Sequence, residues 1–327
     1  MLALLAGPDD TRESALAAAL AVNRAQPDVV WLQHEFGLYG RWQMPYHHAL
    51  ESFLAALRHP VVTTLHTVLS EPPQSVRRAL VGIATLSSRL VVMSSQAAAV
   101  LSDVYDVEAD RVAVIPHGSG RGRQRRRRRS SPAGRPMLLS FGLLSPGKGI
   151  DNVIHSLPAV LARWPEATYV IAGQSHPSLS WSDSIGHRHH LLAVARELGV
   201  DRHVLFIDRF LSEAELDMLL ARADLVVLPN LDPQQASSGT LARAVGAGCA
   251  VVAGANAHSR DVAAHGAVQL VSQPAPDSIG AALAALLGDP GKMRRLRARS
   301  RAYAAATSWE VVGGRAARLV QQAGSSA

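Results

Sequence analysis

A chain of 327 residues, 48% hydrophobic and 18% charged, has material for two ordinary domains with filled cores. No apolar run approaches the roughly 18 residues that span a bilayer, and a lone Cys249 excludes an internal disulfide framework or a thiolate metal cluster. The net charge of +7 is matched by the seven arginines of Arg121–Arg129, a stretch without an acid, so the basicity reads as one local tract rather than a basic face.

The opening MLALLAGPDDTRES has no basic start and turns acidic early, which makes a poor signal peptide and points to a cytoplasmic protein. A helical stretch follows at Thr11–Ala25. Short β-branched runs then alternate with alanine-rich helical stretches. DVVWLQ from Asp28, PVVTTLH from Pro60, RLVVMS from Arg89 and RVAVIPHG from Arg111 predict four strands, with a helix over Ser95–Asp103. Gly, Ser, Pro and Arg interrupt the rhythm at Gly118–Pro136. Six more strands are predicted beyond it: PMLLSFG from Pro136, TYVIAG from Thr168, HVLFID from His203, DLVVLP from Asp224, CAVVAG from Cys249 and AVQLV from Ala267. Helices over Glu213–Ala221 and Ala281–Leu287 lie among them.

Continuous apolar strands imply sheets covered on both faces, hence parallel βαβ units and an α/β fold of two Rossmann-like lobes. The expected division is a first lobe over 1–118, an Arg-rich linker over 119–135, and a nucleotide-sugar lobe over 136–305. A C-terminal helix over 306–327 is expected to pack back toward the first lobe. Nothing before Asp28 supplies the strand and glycine-rich phosphate turn that open such a lobe, so the first lobe reads as N-terminally truncated.

Ligands of open α/β sheets bind at the carboxyl ends of the strands, and the informative residues follow those ends. They are Gln33-His34-Glu35-Phe36-Gly37, Thr63-Thr64-Leu65-His66-Thr67 and Ile115-Pro116-His117-Gly118 in the first part. In the second they are Ser140-Phe141-Gly142 leading to Ser145-Pro146-Gly147-Lys148-Gly149-Ile150, and Asp232-Pro233-Gln234-Gln235 leading to Ser237-Ser238-Gly239-Thr240-Leu241. Lys148, at the start of a helix, suits an anionic phosphate, and the amides of Ser238, Gly239 and Thr240 open another helix toward Gly246. The residues leave plainer readings open: an exposed loop lysine, an N-cap serine, a satisfied strand-end histidine at His66, a surface carboxylate at Glu35, and a tight turn at Gly118.

On the ordered motifs QHEFG, TLHTVL, IPHG, FGLLSPGKGI and SGTLA, from about Asp28 to Trp309, the chain resembles glycosyltransferase family 4. These are the retaining, metal-independent transferases whose two Rossmann lobes face across a cleft (GT-B). The resemblance implies transfer of a hexose from a UDP-, GDP- or ADP-sugar, a substrate rather than a cofactor, to a hydroxyl of a glycan, lipid or small molecule. It implies His66 and Lys148 as catalytic residues. Gly142, Lys148, Gln235, Ser238, Gly239 and Thr240 would bind the donor, and His34, Glu35 and His117 would lie on the acceptor side. No metal is implied.

Several cleft positions depart from the family. Gln235 and Arg243 stand where many members carry two glutamates, and Leu143 replaces an arginine partner of the phosphate lysine. Ser175-His176-Pro177 is followed by Trp181-Ser182-Asp183 and His187-Arg188-His189-His190 in place of acidic and Tyr-Arg residues. Asn230 and Asn256-Ala257-His258 replace aromatic-containing segments. His187, His189 and His190 cannot converge on one tetrahedral ion from one helix face and read as a solvated helix start. Two further function readings accompany the transferase: a catalytically impaired truncated relative, and a polyanion binder whose Arg121–Arg129 tract contacts nucleic acid or the anionic inner face of the membrane.

Overall fold

A computed structural model of the chain describes residues 11–39, 48–120, 135–175 and 181–325. The Arg121–Arg129 tract, and His176 and Pro177, lie outside the described residues. Ten strands form where the β-branched runs are: β1 Val30–His34, β2 Val61–Leu65, β3 Arg89–Val92, β4 Val112–Val114, β5 Met137–Phe141, β6 Thr168–Ala172, β7 Val204–Ile207, β8 Leu225–Leu228, β9 Val251–Gly254 and β10 Gln269–Val271. All pairings are parallel. One sheet has the order β1-β2-β3-β4 and the other β10-β9-β8-β5-β6-β7.

By contacts the chain divides into two compact units. One comprises Met1–His117, Gln234–Ser237 and Glu310–Ala327; the other comprises Gly118–Pro233 and Ser238–Trp309. Among the described residues no helix is long and apolar enough to cross a membrane.

In the first unit every side chain of β2 is buried, as its run Val-Val-Thr-Thr-Leu requires of a strand covered on both faces. One face carries Leu65, Leu90, Leu80 and Ile83, the last two from the helix Gln74–Leu86. The other face is closed by Val62, Val91 and Ile115 against Val312 and Ala323 of the C-terminal helix Trp309–Ser325. Among the described residues β1 is paired on one side, and Trp31 on it is 37% exposed.

The six-stranded sheet is likewise filled on both faces, by Leu138, Tyr169, Ile171 and Val227 on one and by Leu139, Val170, Val226 and Val251 on the other. Each fully buried Leu, Ile or Val side chain contributes roughly 1.5–3 kcal/mol. Helix starts follow their capping residues. Thr11 and Ser14 form a reciprocal cap for Arg12–Arg24, and Ser212 with Glu215 does the same for Glu213–Arg222.

The order of the second sheet reverses between β5 and β8, so the carboxyl ends of these neighbours open the crevice where α/β sheets bind ligands. Both loops predicted to hold phosphate leave from this point.

Candidate active site

The turn after β5 is held in place by glycines. Gly142 has φ +115, and a Cβ there would lie 2.7 Å from Cγ2 of Thr240. Gly173, after β6 at φ +139, packs so closely that a Cβ would meet the Gly142 carbonyl oxygen at 2.0 Å. The chain then makes a short turn over Pro146–Lys148 and enters the helix Ile150–Leu161 through Gly149 at φ +65. The loop after β8 supports this turn, with Leu231 N–H donating to the Gly147 carbonyl at 2.9 Å.

Lys148 is thereby partly enclosed. Burial lowers its pKa below the ordinary lysine value, and Asp232 opposes that shift. The helix Gly239–Gly246 begins against Gly142, through Thr240. Its N-cap Ser238 accepts from Leu241 N–H at 3.3 Å and lies 3.1 Å from the Thr240 hydroxyl. Ser238 N–H is itself aimed by His258, whose Nδ1 accepts it at 2.9 Å. Since Nδ1 accepts, the proton of neutral His258 sits on Nε2. The helix start thus packs on Gly142, and the Lys148 turn is tied through Leu231 to the loop that leads to that helix. Backbone amides at a positive helix end, with one ammonium, are groups of the kind that can hold phosphate oxygens.

Gln235 and Arg243 occupy two further family positions. Gln235 lies in Gln234–Ser237, the stretch that groups with the first unit rather than with the six-stranded sheet. Arg243, from the helix opened by Ser238, is ion-paired with Asp217 at 2.8 Å and with Glu213. Gly118 is a packing glycine, because a Cβ there would lie 2.3 Å from the Trp309 ring.

In the first unit the strand ends gather titratable side chains. His34 closes β1 with no exposed surface, its ring 4.9 Å from Phe36 and 5.9 Å from Tyr39, so it underpins the loop. Glu35 is held at both oxygens, by Phe36 N–H at 2.9 Å and the Thr67 hydroxyl at 2.8 Å. His66, after β2, donates its Nε2–H to Gln33 Oε1 at 2.9 Å, and its backbone N–H bonds the His34 carbonyl at 3.0 Å. Burial lowers the His66 pKa; Glu35 raises it and His117 lowers it, so Glu35, His66 and His117 share one electrostatic environment. The result is an imidazole that is neutral near pH 7.

Sequence reasoning missed Asp232 as the charge acting on Lys148, His258 as the acceptor that orients Ser238, and the acids that engage Arg243. It also read His187 as solvated. His187 lies in the helix Trp181–Glu197 beside a cavity of about 540 Å³ that Pro146, Asp151 and His190 also line. Its Nε2 is enclosed and its pKa lowered by burial, against Asp151. The apolar spacing of that stretch is weak, which is why the burial was not legible.

A family model described as Glycosyl transferases group 1 matches residues 123–303, and one described as Glycosyltransferase Family 4 matches residues 6–119. A D-inositol 3-phosphate glycosyltransferase of Nocardia farcinica is 27% identical over 296 residues, which are 85% of this chain and 62% of that relative. The chain therefore spans less than two thirds of that relative's length. Among solved structures, Anabaena Alr3699/HepE in complex with UDP superposes with a TM-score of 0.73 at 18% identity, covering 94% of this chain and 82% of the other. A glycosyltransferase from Rickettsia africae superposes with a TM-score of 0.77 at 12% identity, covering 99% and 84%. At these identities the superpositions establish the fold alone.

Proposed function

From the premise that the chain belongs to the group 1 glycosyl transferases, we propose that it transfers a hexose from a nucleotide-diphosphate sugar to a hydroxyl acceptor, with retention and without a metal. The observation that carries this reading is the convergence of the Lys148 turn and the N-terminus of Gly239–Gly246 at the β5/β8 reversal.

In the reaction the bond between the anomeric carbon and the diphosphate oxygen breaks, and its electron pair stays on the phosphate. Negative charge grows there, and Lys148 with the Gly239 and Thr240 amides stabilises it, Ser238 serving as the cap that sets the helix start while its own N–H is held by His258. The acceptor oxygen bonds to the anomeric carbon, and its proton passes to the departing phosphate. No side chain is assigned as general base. We assign His66 to the transferred sugar, where a neutral imidazole can accept or donate a hydrogen bond. Glu35 and His117 are assigned to the acceptor side, with His34 as their buried support. Gly142 gives the donor close backbone access. Gln235 remains a donor contact on the strength of its motif.

Calorimetric titration with UDP, GDP and ADP, on the native chain and on Lys148→Ala, tests the donor site. UDP goes first because HepE was crystallised with it, and D-inositol 3-phosphate is the first acceptor to assay because the Nocardia relative is described by it. Binding by one nucleotide that Lys148→Ala loses supports the reading, and binding by none of the three removes it. A second reading, a folded relative without turnover, is favoured by Arg243, which replaces a family carboxylate and is engaged by Asp217 and Glu213. Nucleotide binding without sugar transfer, restored by Arg243→Glu, would establish it.

A further inference from the structure

The helix Pro290–Ala306 carries Lys292, Arg294, Arg295, Arg297, Arg299 and Arg301 and no acid. Positive charge is therefore not confined to Arg121–Arg129, although the net charge alone suggests so. One stripe, Met293, Leu296, Ser300 and Ala304, is buried in the six-stranded unit. Arg297 plays a structural part. Its Nη2 donates to the Asp224 carbonyl at 2.8 Å, and its side chain is 19% exposed.

Lys292, Arg295 and Arg299 follow a spacing of three and four residues, which puts them on one face of the helix. They look onto the turn His265-Gly266 that leads to β10. Between helix and turn lies a cavity of about 600 Å³, lined by these three cations, His265, and an apolar floor including Val268 and Leu296. Among the described residues no acidic side chain lines it. Arg295 makes one loose contact, 3.8 Å, with Asp289, and Lys292 and Arg299 form no ion pair among the described residues. Asp289, whose carboxyl Arg295 and Lys292 help to hold below its ordinary pKa, and the terminus of the helix Ala257–Ala264, which offers about half a negative charge at this turn, together fall short of three cations.

Like charges on one helix face repel each other. A cavity of a size common for small ligands that gathers three of them over an apolar floor has the makings of an anion site. Arg supplies paired donors that match phosphate oxygens, and Lys adds a mobile point charge. The cavity opens where the chain enters β10, at the amino edge of the parallel sheet. Lys148 and Ser238 lie at the carboxyl edge, separated from it by at least a strand length of roughly 10–15 Å.

We propose that this cavity is a second anion-binding site, separate from the diphosphate site, that takes a phosphate-bearing ligand, either a free phosphate ester or the phosphate of a lipid headgroup. Arg295 and Arg299 clasp the phosphate, Lys292 neutralises it, and Val268 and Leu296 contact its apolar part.

The test uses the full chain with Lys148→Ala, so that the diphosphate site is weakened and the added substitutions report on the second cavity. Inorganic pyrophosphate is titrated calorimetrically, and phosphatidylcholine vesicles with and without phosphatidylglycerol are used in co-sedimentation. Each assay is repeated after adding Arg295→Gln and Arg299→Gln, which keep the alkyl stems and leave the Arg121–Arg129 tract intact. Thermal unfolding confirms that the added substitutions leave the fold in place. The expected result is binding in at least one assay that weakens about tenfold or more in the Gln variant. Pyrophosphate binding identifies a free ester as the ligand, and binding only to phosphatidylglycerol vesicles identifies a lipid headgroup. Binding that is equal with and without the Gln substitutions, as a contact made by Arg121–Arg129 would give, overturns the proposal. So does the absence of binding in both assays.

Discussion

In the six-stranded sheet the loops that gather Gly142, Lys148 and Ser238–Thr240 leave neighbouring strands, β5 and β8, at the one place where the strand order reverses. In the four-stranded sheet the order β1-β2-β3-β4 has no reversal among the described residues; Gln33 and His34 end β1, and Glu35, His66 and His117 follow the ends of β1, β2 and β4. A reversal sends adjacent crossovers to opposite faces and leaves a crevice that backbone amides can line. Along the unreversed run of described strands the groups at the strand ends are side chains held by one another. The second unit therefore offers fixed dipoles and a lysine, and the first offers groups that titrate.

The sharpest way to break this comparison is through the glycines that shape the crevice. Gly173→Val forces a Cβ into the Gly142 carbonyl at a φ of +139, and the expected cost is about 3 kcal/mol or more, read by urea unfolding. A loss below about 1 kcal/mol would mean that the crevice is not built on that close approach.

Lys148→Ala tests the lysine. Loss of one charge-assisted contact is expected to weaken nucleotide binding roughly tenfold to a hundredfold in calorimetry, with stability unchanged. Unchanged affinity would place the anion elsewhere.

The dipoles are tested by Ser238→Ala, which removes the cap of Gly239–Gly246. About 1 kcal/mol of stability should be lost, with a smaller drop in nucleotide affinity than Lys148→Ala gives. His258→Leu leaves the buried Ser238 N–H without its acceptor and is expected to cost about 1–3 kcal/mol, the penalty for one orphaned donor.

The smallest effect should come from pH. The folded His66 pKa lies below 6.5, so on acidification the unfolded chain takes up the proton first. The stability from neutral His66 is present above about pH 6.5 and is lost as pH falls through the lowered folded value. The melting temperature should fall between about pH 7.5 and 5.5, and His66→Gln should flatten that fall. His187, in the second unit, is shifted in the same direction. If His187→Gln flattens the curve and His66→Gln does not, acid sensitivity belongs to the six-stranded unit and the contrast fails on this point.

By itself the sequence determined the ten strands, their parallel pairing and the loops that matter. Apolar β-branched runs such as Val61–Leu65 and Leu225–Leu228 are local signals, and burial on both faces admits few other structures. The placement of Lys148 and Ser238 at helix starts was legible for the same reason, since each sits in a glycine-rich turn. Tertiary structure decided what joins residues far apart in the chain: the reversal between β5 and β8, Asp232 beside Lys148, His258 on Ser238, the acids that engage Arg243, and the cations of Pro290–Ala306 gathered against His265. Each of these depends on which elements pack together. That choice follows from the summed burial of whole helices and sheets, a quantity no short stretch of sequence records.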